Sequence, residues 1–551
     1  MLCGSCFPPE NLYNHQHDAA VSGRGAVNGA VPCPLLKEKG EKIMSATICI
    51  LISIIVYLIG MLLIGVVYSS GNNTSSDFYL GGRKLGPVVV ALSTEASDMS
   101  SWLLMGVPGL AYFCGLADAT WTVIGLAAGT YLNWLIVAKR LRRYSAKLGA
   151  ITIPDFFSLR YRDESGLIEG IAALIILVFF VPYTASGFSA CGKLFNSLFG
   201  FDYMTSMLIS AAVIVAYCAT GGFMAASVTS LIQSMVMTFA LIVVLFFGIN
   251  VSGGWDAVVA NAREIPGYLS LTASTSIQAT EAGRYTPFMI ASTLAWGLGY
   301  FGMPHILLHF MAIGDETKLK LSRRVGSIWV VISLSIAVVI GIVGFSMAKA
   351  GVIAMPESQS AAENMIVNAS HALAQVGILP AIIAGIIIAG ILAATMSTAD
   401  AQLLAAASGV THNIINDVLG IKLSDKKTML IARITVVGVA ILGVIFASDP
   451  TSSIFRVVSF AWAGFGATFG PVMILSLFWK RCNKWGALAG MVSGGAMVFI
   501  WKFVVAKLGG VFAIYELLPA FIISAVVIVI VSLLTPAPEA EIVEEFESIG
   551  K

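Results

Sequence analysis

The chain has 551 residues, of which 58% are hydrophobic and 11% are charged, against about 25% charged residues in an ordinary soluble domain. This composition excludes a soluble globule, because most helix faces must meet lipid or other helices. The formal net charge of +2 excludes a nucleic-acid partner, since such binding needs a basic excess to neutralise phosphates.

The first 43 residues differ in composition from the rest of the chain. They are polar and rich in glycine, asparagine and histidine, and hydropathy rises abruptly after Met44. A segment of this kind buries too little apolar surface to offset the entropy of ordering it. We therefore expect residues 1–43 to be a disordered extension, or to precede the true start of translation. The membrane domain is predicted to cover residues 44–536.

Thirteen apolar stretches follow, each long enough for a bilayer crossing, which needs roughly 20 apolar residues in a helix. They lie at about 46–68, 87–113, 118–138, 165–191, 204–220, 226–251, 286–311, 326–350, 376–408, 429–447, 455–478, 485–504 and 511–534. The sequence thus predicts an all-α membrane protein with thirteen transmembrane helices, numbered spans 1 to 13.

Lysine and arginine are distributed unevenly between the two sets of loops. Cytoplasmic loops accumulate these residues, so the richer set is assigned to the inside of the cell membrane. This places the start of span 1 outside and the C-terminus in the cytoplasm, where residues 537–551 are predicted to form a solvated acidic tail. Lys37, Lys39 and Lys42 disagree, because they precede span 1 and would draw its start inward.

Spans 2 and 7 both contain helix breakers. Span 2 holds ASDMSSW at 96–102, followed by glycines and a proline, and span 7 holds WGLGYFGMPH at 296–305. Backbone that leaves the helix at membrane depth needs surrounding protein or a water-filled cavity, because lipid cannot satisfy the freed amides and carbonyls. The two spans are five apart, which predicts inverted repeats at about 87–251 and 286–478 with a binding site between them.

An acid in span 2 supports a functional site there. Asp98 lies inside a hydrophobic crossing, where an ionisable side chain is costly and usually marks an ion or substrate pathway. Gly297, Gly299 and Gly302 of span 7 have a second interpretation, since small residues also let helices pack closely. Packing alone does not explain Asp98, so the functional interpretation is favoured.

Span 9 carries hydroxyl groups at helical spacing. Ala394, Ser397 and Thr398 stand at positions i, i+3 and i+4 and therefore share one helix face. Sodium is a hard cation that favours several oxygen ligands, and unwound carbonyls from span 2 would complete such a shell. The alternative is that these hydroxyls bond back to their own helix, as serine and threonine often do.

Six motifs carry a resemblance to a known family. They are LGGRKLGP (80–87), ASDMSSWLLMGVPG (96–109), ATGGFMAAS (219–227), WGLGYFGMPH (296–305), ILAATMSTADAQLL (391–404) and SFAWAGFGATFGP (459–471). Together they resemble the sodium:solute symporter family, and within it the sodium/proline branch, from about residue 44 to residue 536. The resemblance implies a leucine-transporter-type fold, in which spans 2–6 and 7–11 form a 5+5 inverted repeat with broken helices.

The resemblance also implies site residues. For sodium it implies backbone carbonyls or hydroxyls at Ala96, Met99, Ala394, Ser397 and Thr398, with Asp98 near this shell. For proline it implies contacts from Trp102, Tyr183, Trp296, Tyr300 and Pro304, and at the inner mouth it implies a gating role for Arg83. Aromatic walls suit a compact apolar ring, and broken helix ends suit the charges of an amino acid.

The chain departs from the family pattern at several positions. Ser101 replaces a glycine and Met303 replaces a glutamine, which alters the volume and polarity expected for the substrate pocket. Glu95 replaces another glycine and adds a second acid to span 2. Asp400 stands where relatives carry serine, and Ser230 where many carry aspartate, so we expect Asp400 to supply the charge near the sodium site. The alternative is that Asp400 faces an inner aqueous vestibule.

These observations predict sodium-coupled uptake of a small amino acid, with proline as the leading substrate. The alternative is a sodium- or proton-coupled symporter of another small solute on the same fold. An enzyme is not expected, because the few acids at membrane depth cluster at the predicted ion site. The GLGYFG run at 297–302 lies within a crossing helix, so it is not a phosphate loop. No protein partner is required by any feature of the sequence.

Overall fold

The computed structural model describes residues 34–69, 74–421 and 423–549. Most of the predicted disordered extension, residues 1–33, lies outside these residues. The described part of the extension belongs to helix α1, which begins at Pro34. The helix therefore starts earlier in the chain than the rise in hydropathy indicates.

Helices form almost all of the described chain, as the apolar composition predicts. Those before the first long loop are α1 (Pro34–Ser69), α2 (Ser75–Leu80), α3 (Pro87–Ser101), α4 (Val107–Cys114), α5 (Leu116–Leu132), α6 (Ala138–Leu148), α7 (Ile153–Tyr161), α8 (Leu167–Phe199) and α9 (Tyr203–Val251). That loop contains α10 (Trp255–Arg263) and a two-stranded antiparallel pair, β1 (Ala273–Ser274) and β2 (Gly283–Arg284).

The second half repeats this pattern of long helices joined by short connections. Its helices are α11 (Pro287–Leu294), α12 (Pro304–Ala312), α13 (Leu319–Lys349), α14 (Gln359–Ala362), α15 (Met365–Ala374), α16 (Ile378–Ser408), α17 (Asp425–Phe446), α18 (Ile454–Phe478), α19 (Lys484–Phe503), α20 (Leu517–Leu534) and α21 (Ala540–Ile549). Wider π-helical turns occur at Trp102–Gly106, Asn133–Val137 and Gly409–Val418. Tighter 3-10 segments occur at Gly81–Arg83, Ala295–Phe301, Glu316–Lys318, Val505–Leu508 and Gly510–Phe512.

Ten helical segments among the described residues are long and apolar enough to cross a membrane. Three predicted spans are not among them, each for a local reason. Span 2 is divided between α3 and α4, and span 7 between α11 and α12. Span 5 corresponds to the short first part of α9, Tyr203–Ala216. The chain is thus an integral membrane protein whose interrupted helices lie among ten uninterrupted ones.

The interruptions fall where the backbone leaves helical geometry. In α3, Ser100 has φ 46° and ψ −171°, and in α9, Gly222 has φ 66° and ψ −177°. Glycine tolerates a positive φ, whereas Ser100 carries a Cβ that makes this conformation costly. Such strain persists where the surroundings hold it, and it concentrates at functional sites. The predicted break in span 2 is therefore confirmed, at Ser100.

Glycines bring α5 and the 3-10 segment after α11 into backbone contact. A Cβ on Gly129 would lie 2.3 Å from the carbonyl oxygen of Gly297, and one on Gly297 would lie 2.2 Å from that of Gly125. In α18, a Cβ on Gly302 would collide with the carbonyl oxygen of Phe465, and one on Gly299 would collide with the indole of Trp462. Only glycine permits these approaches. Close packing and helix interruption thus occur together in this segment.

One face of the molecule, here called the basic face, carries Arg83, Arg142, Arg162 and Lys480. The acidic C-terminal segment docks on this face, which corrects the prediction of a solvated tail. In α21, Ile542, Phe546 and Ile549 are buried. They recur at i, i+4 and i+7 and so form one apolar stripe. High acidic content concealed this stripe when the sequence was interpreted by charge alone.

Ionic and cation–π contacts hold α21 in place. The ring of Phe546 lies 4.6 Å from the guanidinium carbon of Arg140 and 5.1 Å from that of Arg160. Arg162 forms an ion pair with Glu541, and Lys480 pairs with Glu547 at 3.0 Å. These contacts thus connect α21 to the predicted cytoplasmic ends of several different spans.

Candidate ion and substrate site

The break in α3 exposes backbone groups in the middle of the protein. Beyond Ser100, the chain continues as a π-helical turn, and the amide of Trp102 donates to the Ser100 hydroxyl at 3.1 Å. Every residue from Val90 to Ser101 is buried. The break is therefore enclosed by protein rather than exposed to lipid, as membrane depth requires.

Four of the residues predicted for sodium converge through their oxygen atoms. The Ser397 hydroxyl lies 2.8 Å from the carbonyl oxygen of Ala96 and 3.0 Å from that of Ala394. The Thr398 hydroxyl lies 3.2 Å from the carbonyl oxygen of Ala394. Met99, the fifth predicted residue, is buried one position before the break, and its carbonyl oxygen accepts the amide of Trp102. Both hydroxyls bond to their own helix, as the alternative interpretation held, and the Ser397 hydroxyl also bonds to α3.

Asp98 joins the ion side of this region to the aromatic side. Its carboxylate accepts a hydrogen bond from the Tyr300 hydroxyl at 2.6 Å, and its carbonyl oxygen accepts one from Tyr183 at 3.1 Å. Both tyrosines were predicted as substrate contacts. Asp98 is buried and follows Ala96 by two residues, so it lies next to the oxygen cluster while its carboxylate bonds to Tyr300.

An aromatic cluster covers the broken helices. Ring centroids of Trp102 and Trp296 lie 5.6 Å apart, and Phe455 stacks on Trp102 at 6.0 Å and packs at a tilt against Trp296 at 5.2 Å. Trp462 lies 5.1 Å from Tyr300, and its indole nitrogen donates to the carbonyl oxygen of Trp296 at 2.8 Å. The structure thus brings Trp102, Trp296 and Tyr300 together.

Sequence reasoning missed three members of this cluster. Phe455 and Trp462 belong to α18, and Tyr515, which precedes α20, stacks on Trp296 at 5.1 Å. Trp462 lies within a motif that carried the family resemblance, so its position was visible even though its role was not. Phe455 and Tyr515 stand at helix starts, where an aromatic residue resembles an interfacial anchor in sequence.

Two polar atoms beside the break have no hydrogen-bond partner among the described residues. They are the indole nitrogen of Trp102 and the hydroxyl oxygen of Ser101, and both are buried. Buried polar groups normally find partners, so such a pair at a helix break indicates a place for a polar ligand group. Ser101 is also one of the positions at which the chain departs from its family.

Pro304 contributes through the backbone. It is buried and occupies the first turn of α12, where its fixed φ favours the start of a helix. It follows Met303, whose extended backbone precedes the first turn of α12. Pro304 therefore lies next to the second break, and its contact with substrate stays a prediction.

Arg83 closes the basic face below this region. Its guanidinium donates to the carbonyl oxygens of Met311 at 2.7 Å, Ser145 at 3.0 Å and Ala150 at 2.5 Å. Burial lowers the pKa of Arg83 to about 10, so the group remains charged at neutral pH. One side chain thereby ties the ends of α6 and α12 to the segment before α3.

The opposite face is closed by a buried ion pair. The carboxylate of Glu363 accepts hydrogen bonds from Lys193 at 3.0 Å, from the Ser453 hydroxyl at 2.8 Å and from the amides of Ile454 and Phe455 at 3.1 Å each. It therefore caps the first turn of α18, where an anion is favoured. Phe455, which covers the two tryptophans, is held by this cap.

Asp400 lies in α16, three residues after Ser397. Its carboxylate is buried and contacts the thiol of Cys218 in the first part of α9, close to the kink at Gly222. Ser230 is buried in the second part of the same helix. The burial of Asp400 separates it from the bulk solvent of either face.

Two cavities lie near the site. One of about 10 Å³ is enclosed by residues of α8 and α16 together with Ser100, and Tyr183 and Thr398 both line it. This volume is enough for one water molecule or one small ion. The other, of about 710 Å³, opens on the opposite face, and Phe455 lies in its wall.

Comparison with known proteins identifies the family. The sequence model of the sodium:solute symporter family matches residues 78–494 of this chain. The chain belongs to the sodium:solute symporter family. Its members are transporters, so the protein is not an enzyme, and sodium is its coupling ion. The resemblance carried by the six motifs is thus confirmed.

Several proteins similar to this symporter are known by function. The osmoregulated proline transporter of Bacillus subtilis (strain 168) is 40% identical over 494 residues, which cover 89% of this chain and 95% of that protein. The high-affinity proline transporter of the same organism is 41% identical over 488 residues, covering 88% and 98%. The sodium/proline symporter of Escherichia coli (strain K12) is 38% identical over 511 residues, covering 91% and 96%.

Among solved structures, a Na+-coupled sialic acid symporter in a substrate-bound outward-open state shares the fold of this symporter. The TM-score is 0.72 at 17% identity, and the match covers 89% of this chain and 99% of that chain. At this identity the likeness establishes the fold, which accords with the arrangement of broken and unbroken helices described above.

Proposed function

We propose that this protein is a sodium-coupled L-proline symporter of the cell membrane. The observation that carries the proposal is the adjacency of two groups across the break at Ser100. The oxygen atoms of Ala96, Ala394, Ser397 and Thr398 lie on one side, and the aromatic cluster around Trp102 lies on the other. The names of its relatives, which include several proline transporters, support proline as the substrate.

In this proposal, sodium binds among the oxygens of α3 and α16. A hydroxyl that now donates to a carbonyl can rotate its hydrogen away and offer a lone pair to the ion. Met99 would add a carbonyl oxygen, and Asp98 would supply nearby negative charge without being a direct ligand. Neutral oxygens and one adjacent acid suit a monovalent hard cation.

Proline would lie against the aromatic cluster. Trp102, Trp296 and Tyr300 offer apolar surface to the ring, with Tyr183 and Pro304 at its edges. The unpaired groups of Ser101 and Trp102 are hydrogen-bond donors, and a carboxylate is the acceptor that satisfies both. The substrate would thereby complete the hydrogen bonding of the break.

The topology follows from the helix pattern and from charge. We infer that two broken helices and the short first part of α9 also cross the membrane, which with the ten uninterrupted segments gives thirteen spans. We infer a leucine-transporter-type 5+5 inverted repeat, with repeats at about residues 87–251 and 286–478. The basic face then lies in the cytoplasm with the C-terminus, and span 1 starts outside.

Transport would proceed by alternating access. Sodium favours the state open to the outside, the site closes over proline, and both leave at the basic face once the Arg83 contacts separate. Moving one charge contributes about 2.3 kcal/mol per 100 mV, and a tenfold sodium gradient contributes about 1.4 kcal/mol. Together these drive proline accumulation of more than about a hundredfold.

Uptake in proteoliposomes tests this proposal. Purified protein is given labelled L-proline under an inward sodium gradient, with choline replacing sodium as the control, and a potassium diffusion potential sets the voltage. Sodium-dependent uptake that rises with negative internal potential is expected. Unlabelled alanine, glycine betaine and hydroxyproline serve as competitors. Uptake that a proton gradient drives equally well, or a competitor that outperforms proline, would overturn the coupling ion or the substrate respectively.

A further inference from the structure

One widened turn lies beside both broken helices. Between α5 and α6, residues Asn133–Val137 form a π-helical turn, in which the extra residue per turn re-aims the side chains. Such turns within α-helices occur frequently at functional sites. Asn133 and Trp134, its first two residues, are both buried and point to different broken helices.

Trp134 contacts the part of α3 that carries the predicted sodium ligands. Its indole nitrogen donates to the Glu95 carboxylate at 2.8 Å, and the hydroxyl of Thr130, one turn earlier, donates to the same carboxylate at 3.0 Å. Glu95 immediately precedes Ala96, whose carbonyl oxygen belongs to the oxygen cluster. The Trp134 indole also packs at a tilt against Phe310 of α12, with ring centroids 4.4 Å apart.

Asn133 contacts the segment that carries the predicted substrate contacts. Its amide nitrogen donates to the backbone carbonyl oxygen of Tyr300 at 2.9 Å. That carbonyl lies in the 3-10 segment, where helical bonding is incomplete, so an external donor satisfies it. The contacts of Gly125 and Gly129 with Gly297 hold α5 against the same segment.

These contacts form a closed circuit around the site. Asn133 bonds to Tyr300, Tyr300 bonds to Asp98, Asp98 lies in α3 with Glu95, and Glu95 bonds to Trp134, the neighbour of Asn133. We propose that the π-helical turn at Asn133–Val137 is the positioning element that couples sodium binding on α3 to substrate binding on the second broken helix. Asn133 and Trp134 are its positioning residues, and neither touches ion or substrate.

The physical basis is shared rigidity. Sodium that draws on the Ala96 carbonyl fixes α3 and therefore Glu95, which fixes Trp134. Asn133 is attached to the same turn and sets the Tyr300 backbone, so the substrate wall is ordered before proline arrives. The ordering cost is then met once, by sodium, and proline binds more tightly, which is positive coupling. This inference rests on the proposed function.

Binding measurements in nanodiscs test the coupling itself. The dissociation constant of proline is measured by calorimetry with saturating sodium and with choline, and the ratio of the two values is the coupling factor. By linkage, proline must change sodium affinity by the same factor, which gives an internal check. Trp134→Phe removes one indole donor and keeps a ring against Phe310, and Asn133→Leu removes the donor to Tyr300. We expect each to lower the coupling factor about tenfold.

Two further variants separate positioning from general damage. Glu95→Gln retains an oxygen that accepts from Trp134 and Thr130, so we expect it to keep coupling within about twofold of the unaltered protein. Trp329→Phe is the matched control. It removes an indole-to-hydroxyl bond of 2.9 Å, from Trp329 to Thr238, that involves neither α3 nor the segment from α11 to α12, and it should leave the coupling factor unchanged.

The outcomes are distinct. Sodium-independent proline binding by the unaltered protein would refute the proposed function before any variant is compared. An unchanged coupling factor in both Trp134→Phe and Asn133→Leu, with proline binding weakened equally in sodium and in choline, would refute the positioning role. If Trp134→Phe does not fold, Thr130→Val removes the second donor to Glu95 and must lower the factor in its place.

Discussion

The hydroxyl of Ser397 lies 2.8 Å from the carbonyl oxygen of Ala96, although 301 positions separate the two residues in the chain. This contact joins α16 to the broken helix α3 at the level of the Ser100 break. Ser397 and Thr398 also bond to Ala394, so hydroxyls and carbonyls alternate in one small volume. Such a cluster suits sodium when the hydroxyls turn their lone pairs inward.

Loss of either hydroxyl is therefore expected to weaken sodium binding. Ser397→Ala and Thr398→Ala should each raise the sodium concentration for half-maximal uptake by roughly tenfold or more, because a hydrogen-bonding group that faces a charge is worth about 1.5–3 kcal/mol. Uptake at varied sodium and saturating proline measures this. The matched control is Thr435→Ala, which removes a hydroxyl bonded to its own helix in α17. Normal sodium dependence in both test variants would refute the assignment.

Substitution of residues in the aromatic cluster should distinguish substrate binding from sodium binding. We expect Trp296→Ala, Tyr183→Ala and Tyr300→Ala to weaken proline binding more than sodium binding, because these rings are predicted to cover the substrate. Trp296→Ala is the clearest case, since its ring contacts other rings rather than Asp98. Equilibrium binding of each ligand, with the other saturating, provides the measurement. Equal losses for both ligands in folded protein would indicate a structural role.

The ion pair of Lys193 and Glu363 should be costly to break from one side. Glu363→Ala leaves the ammonium group of Lys193 buried without its anion, and removing one partner of a buried pair costs about 3–5 kcal/mol. Thermal unfolding in detergent should show a marked fall in stability. The double variant Lys193→Met, Glu363→Gln should recover much of it. A single variant as stable as the double one would show that the pair is unimportant for folding.

The broken helices could be predicted from sequence because their signals are local. Glycines, a proline and an acid within one apolar run conflict with an ordinary crossing helix, and Asp98 marked the site by its cost in lipid. Ser397 and Thr398 were recognisable by helical spacing. In these cases the neighbouring residues in the sequence are enough to indicate a departure from an ordinary transmembrane helix.

The remaining features depend on contacts between distant segments. Phe455 and Tyr515 join the aromatic cluster only because α18 and the start of α20 pack over the breaks. Asn133 and Trp134 show no anomaly in sequence, since their role arises from a π-helical turn that periodicity does not predict. The acidic composition of α21 led to the prediction of a solvated tail, because the contacts of Phe546 with Arg140 and Arg160 are not visible in the sequence.

Docking of α21 provides a test of that correction. Phe546→Ala removes a ring that faces two guanidinium groups, each contact being worth about 0.5–1 kcal/mol, and it also removes buried apolar surface. We expect residues 540–549 to lose protection from hydrogen exchange, while α3 and α16 keep theirs. Glu547→Gln is the control, because its exposed pair with Lys480 is worth at most about 1 kcal/mol. Equal protection in Phe546→Ala and the unaltered protein would contradict docking through this ring.

Asp400 is predicted to carry the electrostatic role that relatives assign to an aspartate at the position of Ser230. Its carboxylate is buried in α16, three residues after Ser397, and it faces the first part of α9 through Cys218. An acid in this setting needs a compensating charge or a proton, and the predicted sodium site is the adjacent source of positive charge. Asp400→Asn should therefore raise the sodium concentration for half-maximal uptake.

Transfer of the acid between the two helices gives the sharper test of the Asp400 prediction. Asp400→Ser combined with Ser230→Asp moves the carboxylate from α16 to α9, so we expect the double variant to recover part of the sodium dependence that Asp400→Ser loses. Cys218→Ala is the control for simple packing changes around the carboxylate, and it should affect sodium less than Asp400→Asn does. The charge moved per proline, measured as current in a supported membrane, gives a second readout. If Asp400→Asn leaves both sodium dependence and charge per proline unaltered, Asp400 has no part in coupling.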